Sequence, residues 1–128
     1  MSGIRISRFE DLQCWQEART LVKMVYEAIN SNKVSGADLQ FVCQFMSAAV
    51  SSMSNITEGF SQETDKVFLG GLWISKGSIA GVQSLSCAAM HLGYSKGDEM
   101  NAIYHQAEIV ASLLSGFIKY FRKSSGRR

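Results

Sequence analysis

Residues 48–60, AAVSSMSNITEGF, close a run from Leu39 to Thr57 that contains no charged residue. Its apolar positions are Leu39, Val42, Cys43, Phe45, Met46, Ala49, Val50, Met53 and Ile56. That spacing follows a 3.6-residue repeat, and the large side chains cover more than half of the circumference. A helix without a charged face is normally surrounded by protein. The stretch therefore predicts a buried helix over Ala37–Thr57. Gly59 is placed at its C′ position, where a left-handed residue ends a helix at little cost.

The next segment is nearly as neutral. Between Val67 and Ser95 the sole formal charge is Lys76. Thr64 is a candidate N-cap with Asp65 behind it, and Gly93 is a candidate C′ stop, so a helix is expected from Asp65 to Leu92. Gly70, Gly71, Gly77 and Gly81 lie inside it. Each costs about 1 kcal/mol against alanine in a helix interior. Close approach of another backbone would offset that cost, and Gly77-x-x-x-Gly81 sets two bare positions on one face. A kink at Gly70-Gly71 is the alternative. Phe68, Leu72, Ile79, Val82 and Leu85 keep a helical pattern across the glycines and favour packing.

Upstream, a polar arm of residues 1–8 leads to a helix starting near Phe9 to Asp11. Leu12, Trp15, Leu21, Val22, Val25, Tyr26 and Ile29 form its apolar face, and Asn30 to Gly36 reads as a connection. Downstream, Ser95 with Asp98 suggests a weak capping box. Met100, Ile103, Tyr104, Ala107, Val110, Leu114, Phe117 and Phe121 then form one stripe. The chain closes in a basic tail, residues 124–128, behind a bundle of residues 9–123. With no proline and no strand-like alternation, four helices on short turns predict an all-α, antiparallel up-down-up-down four-helix bundle.

In that topology Arg5, Arg8, Lys119, Arg122, Lys123, Arg127 and Arg128 gather at one end, partly offset by Glu58, Glu63 and Asp65. Repeated by symmetry, those cations would make a phosphate-binding surface for RNA or DNA. Two neutral helices exceed what one bundle can bury, so a homo-oligomer is expected. Its interface is assigned to Phe45, Met46, Met53, Leu72, Trp73, Gly77 and Gly81. Trp15 and Trp73 read as core or interface anchors, not as base-stacking rings.

No catalytic constellation is written in the chain. His91 and His105 have no Asp, Glu or Cys at ligand spacing, so neither metal nor cofactor is expected. Gly77-Ser78 lies in a helix and lacks the nucleophile-elbow context. A rival active site would combine Glu58, His91 and Tyr94. Cys14, Cys43 and Cys87 are too widely spaced for a metal site and read as small buried hydrophobes in a reducing compartment. Residues 1–8 carry no apolar leader, and the uncharged run is too polar for a membrane span, so a cytoplasmic protein without membrane contact is expected.

Several motifs together resemble a known family. Phe9-Glu10-Asp11-Leu12 with Trp15-Gln16 and Ala18 opens the chain. Gln44, Ala48-Ala49-Val50-Ser51, Asn55-Ile56 and Glu58-Gly59-Phe60 follow, then Phe68-Leu69, Gly77-Ser78 and Leu92-Gly93-Tyr94. The pattern resembles the four-helix-bundle proteins encoded in intervening sequences of bacterial large-subunit ribosomal RNA genes. The resemblance implies a homopentamer. It also implies kinship with the accessory variability proteins of diversity-generating retroelements, which bind nucleic acid and a reverse transcriptase. Met46 and Ser47 stand where the family usually has arginines, and Gly81 and Gln83 where it has glutamates. The resulting expectation is a non-enzymatic, oligomeric nucleic-acid-binding adaptor, the accessory partner of a reverse transcriptase. The alternatives are an intervening-sequence protein of unknown role and a pure protein scaffold.

Overall fold

A computed structural model describes residues 7–31, 34, 36–62 and 64–125, with the side chains of Ser124 and Ser125 excepted. After a 3-10 turn at Phe9–Asp11 come α1 (Gln13–Asn30), α2 (Leu39–Ser61), α3 (Asp65–His91) and α4 (Asp98–Ser125). Among the described residues there is no strand. Backbone contacts link α1 to α2, α2 to α3, α3 to α4 and α4 back to α1, and none link the diagonal pairs. The chain is an all-α four-helix bundle with successive helices side by side.

The ends follow local chemistry. Asp38 Oδ1 accepts the Phe41 N–H at 2.8 Å and starts α2. Thr64 Oγ1 accepts the Val67 N–H at 3.3 Å and starts α3, as its sequence position predicts. The α3 C-terminus is a Schellman motif. Gly93 has φ +79°, its N–H reaches the Met90 carbonyl at 3.1 Å, and the Tyr94 N–H reaches the Ala89 carbonyl at 2.8 Å.

Three boundaries differ from expectation. The first helix, expected to start near Phe9 to Asp11, is a 3-10 turn there, and α1 begins at Gln13. The α4 helix begins at Asp98, not Ser95. Ser95 Oγ accepts the Gly97 N–H at 3.2 Å, and the Gly97 carbonyl accepts the Asn101 N–H at 2.7 Å. Gly97, at φ +116°, thereby takes the capping position that a side chain could not reach. The α2 helix continues through Gly59 to Ser61, so Gly59 is not its C′ residue.

Gly59 serves packing instead. A Cβ on Gly59 would lie 3.2 Å from the Phe68 Cα, and one on Gly71 would lie 2.6 Å from the Asn55 carbonyl oxygen and 3.1 Å from the Gly59 Cα. The close approach anticipated at Gly77 and Gly81 therefore occurs at Gly59 and Gly71. A Cβ at Gly77 meets nothing within 4 Å, and one at Gly81 meets the Ala48 Cβ at an ordinary 3.8 Å. The α3 helix is unbroken at Gly70-Gly71.

The seam between α2 and α3 also carries hydroxyls in place of apolar groups. Ser75 Oγ donates to the Ser52 carbonyl at 2.5 Å, and the Ser51 and Ser78 hydroxyls share a bond of 2.8 Å. Each buried hydroxyl is satisfied, which removes the desolvation penalty of placing serine in a core. Elsewhere the centre is apolar: Leu21, Val25, Phe45, Ile56, Leu72, Ile79, Met100, Ile103 and Leu114 are buried. One tie crosses from α4 to α1, where Gln106 Nε2 donates to the Glu17 carbonyl and carboxylate at 2.9 and 2.8 Å.

The end where α2 meets α3 is an aromatic cluster. The ring of Phe68 lies 5.6 Å from Phe60, 5.5 Å from Phe117 and 5.2 Å from Phe121, all edge-on. That geometry suits the ring quadrupoles. It fastens the C-terminal turns of α4 to the start of α3.

Candidate nucleic-acid interface

Lys119, Arg122 and Lys123 stand at i, i+3 and i+4 near the end of α4 and so share one face. All are exposed. The Phe68 cluster fixes the backbone that carries them, because Phe117 and Phe121 alternate with them along the helix. Cations in the last turns of a helix also meet the negative end of its dipole.

Arg8 is differently engaged. Its guanidinium bonds Glu10 at 3.1 Å on the surface. That hydrogen bond and the charge behind it hold the Arg8 pKa above, and the Glu10 pKa below, their ordinary values. Arg8 therefore offers less free positive charge than its sequence position suggests. Arg5, Arg127, Arg128 and the offsetting Glu63 lie outside the described residues.

An open groove of about 800 Å³ runs between α3 and α4. Trp73, Lys76 and Lys119 lie toward one end of it, and Gln83 with Glu108 toward the other. Gln83 Nε2 donates to the Glu108 carboxylate at 2.6 Å. Ala80, Ala111, Ser112 and Gly116 leave the walls low.

The residues assigned to a subunit interface separate into two groups. Phe45 and Leu72 have no exposed surface and belong to the protomer core. Their periodic positions point inward, which composition alone could not reveal. Met46 and Met53 are half-buried against the same core. Trp73 is 46% exposed, Gly77 is exposed and Gly81 is partly so. Of the two roles expected for Trp73, that of a core anchor within the protomer is corrected by this exposure, whereas a place at a subunit contact is compatible with it.

A pattern not extracted from the sequence becomes visible on α3. Val67, Gly70, Ile74, Gly77, Gly81, Ser84 and Ala88 recur with alternating gaps of three and four residues. None is buried, none is charged, and Ile74 is 57% exposed. This is the 3.5-residue period of helix-on-helix docking, on an outer face. The signal was present in the spacing, but only the burial pattern shows that this stripe faces outward.

The positions that depart from the resembling family's charge pattern meet different neighbours. Gly81 is nearest Ala48 of α2. Met46 lines a hollow with Tyr26 of α1, whereas Gln83 turns to Glu108 of α4.

The rival grouping of Glu58, His91 and Tyr94 is not assembled. Tyr94 packs on Phe41, with ring centroids 5.1 Å apart, at the start of α2. Glu58 is 17 residues further along that helix, roughly 25 Å away at 1.5 Å per residue. No group of three or more His, Cys, Asp or Glu comes together among the described residues. No helix among them is long and apolar enough to cross a membrane.

The cysteines differ in burial, and the expectation that all three are buried holds for Cys14 alone, because Cys43 and Cys87 fall on the outer faces of α2 and α3. Burial pushes the Cys14 thiol up to about 11, against backbone hydrogen bonds that lower it, while Cys43 and Cys87 are exposed. In a Cys43→Ser, Cys87→Ser background, Cys14 is expected to resist a disulfide reagent at pH 8 while the protein is native. It should react fully once denaturant unfolds the chain. Because the folded state disfavours its thiolate, its contribution to stability is complete below the unfolded thiol pKa and falls as pH rises above it. Rapid labelling of the native protein at pH 8 would contradict this placement.

No curated protein matches the chain. The family model of the 23S rRNA-intervening sequence protein matches residues 10–116, from the 3-10 turn to Gly116 of α4. With the four-helix bundle in place over the same span, the chain belongs to the 23S rRNA-intervening sequence protein family.

Proposed function

We propose that this protein is a non-enzymatic adaptor that assembles with copies of itself and binds nucleic acid through the basic face of α4. The observation that carries the reading is the exposed set Lys119, Arg122 and Lys123 on an anchored helix end. A few phosphate contacts per protomer bind weakly, and assembly makes them simultaneous. The neutral 3.5-residue stripe on α3 supplies the surface for that assembly. A second copy buries an uncharged helix face some 30 Å long without desolvating charge, given 1.5 Å per residue over 67–88.

The assembly is tested by light scattering. The intact protein is expected well above the 14.1 kDa of one chain. Gly70→Glu and Ile74→Glu should each shift it toward the monomer. A Cβ at Gly70 meets nothing within 4 Å and Ile74 is mostly exposed, so the protomer should keep its helical circular dichroism. An intact protein that runs as a monomer at micromolar concentration rejects the assembly.

Nucleic-acid binding is tested by mobility shift with RNA and DNA at low and moderate salt. Binding should tolerate sequence and fall steeply with salt, and Lys119→Gln, Arg122→Gln, Lys123→Gln together should weaken it at least tenfold. Absence of binding at low salt rejects the reading. A reverse-transcriptase partner, implied by the resemblance, is tested by co-purification with one encoded beside it.

A further inference from the structure

We infer that the groove between α3 and α4 is a subsite for single-stranded nucleic acid, in which the Trp73 indole stacks on an unpaired base. This deepens the nucleic-acid reading above and rests on it. Trp73 is among the few large apolar side chains left exposed, at 46%, and it is aromatic and flat. Base stacking on such a ring is worth about 1–3 kcal/mol per base and is indifferent to sequence.

The surroundings match that ligand. Lys76 Nζ lies 5.4 Å from the Trp73 ring centroid, and Lys119 lines the same groove. The antiparallel pairing sets Phe68 against Phe121 and Gln83 against Glu108. Trp73 therefore lies about level with Gly116, one turn from Lys119. A Cβ at Gly116 meets nothing within 4 Å, so bare backbone faces the space beside the indole. Both lysines sit at this end, whereas the groove's carboxylate, Glu108, is at the far end and occupied by Gln83. Positive charge, a stacking ring and an open slot thus coincide, and Lys119 continues into Arg122 and Lys123 as a track for the backbone.

A second copy of the chain is the competing occupant. The assembly stripe meets the groove's edge at Gly77, but Gly70 and Ile74, the positions that test assembly, do not line the groove. A rim of two lysines is better matched by phosphates than by another neutral helix face.

The test uses the full chain with Trp15→Phe, leaving Trp73 as its single tryptophan. The probes are a 12-nucleotide oligo(dT) and a duplex of equal length, at low salt. Oligo(dT) should quench Trp73 emission by about half or more, and the duplex should not. In the native background, Trp73→Ala and Gly116→Leu, which fills the slot from a site with free space, should each weaken oligo(dT) binding about tenfold with assembly unchanged. Binding without quenching and unaffected by either variant overturns the subsite while leaving the adaptor intact. Loss of assembly in Trp73→Ala overturns it by giving the ring to a subunit contact. No binding of any nucleic acid overturns both.

Discussion

Gly71→Ala is expected to lower the melting temperature by about 10 °C. A methyl group at Gly71 would sit 2.6 Å from the Asn55 carbonyl oxygen, and the atoms it meets are backbone. A flexible side chain could swing away, but two helix backbones must separate. Separation stretches the Ser75–Ser52 and Ser51–Ser78 bonds along the same seam. Overpacking of this kind costs about 1–3 kcal/mol, and the strained seam places Gly71 at the upper end. For a chain of this length that converts to roughly 10 °C. Gly116→Ala is the control. It fills open space on an exposed helix turn and should raise stability by about 1 kcal/mol through helix propensity. Thermal unfolding of the two variants should therefore move in opposite directions. Equal melting of Gly71→Ala and the parent would refute the backbone contact.

Phe68→Ala should cost about 3–5 kcal/mol in urea unfolding, with a further consequence for binding. Phe68 is 6% exposed and its ring touches Phe60, Phe117 and Phe121. Its removal leaves a cavity and releases the final turns of α4 from α3. Lys119, Arg122 and Lys123 ride on those turns, so nucleic-acid affinity should fall although no charge has been removed. Trypsin should cut after these residues faster than in the parent, because local opening exposes the backbone. Unchanged tryptic sensitivity at matched temperature would show that the cluster does not hold the helix end.

The bundle itself was legible because it depends on local chemistry. Thr64 and Gly93 mark the limits of α3 by capping geometry that any sequence context permits. The uncharged run Leu39–Thr57 identifies a helix but not an enclosed one. Within the protomer only Phe45, Ala49, Ser52, Ile56 and Gly59 of α2 are buried, and Leu39 is 78% exposed, because a neutral composition does not say which faces meet a neighbour. The candidate interface was legible in part. The basic spacing at residues 119, 122 and 123 is a sequence fact, and α4 presents all three to solvent. Arg8 carries the same charge, yet its bond to Glu10 depends on the 3-10 turn that folds it back.

What composition and period determined, then, was how many helices form and where their apolar faces lie. Which glycine meets a neighbouring backbone was decided by the tertiary structure. Gly59, Gly71, Gly77 and Gly81 are chemically identical, and the register of α2 on α3 brings the first two together while leaving Gly77 open. The same register turns Phe45 and Leu72 inward and Trp73 outward. A helical period gives the angles between side chains on one helix. The direction in which that set of angles is aimed depends on the neighbouring helices, and no single helix encodes it.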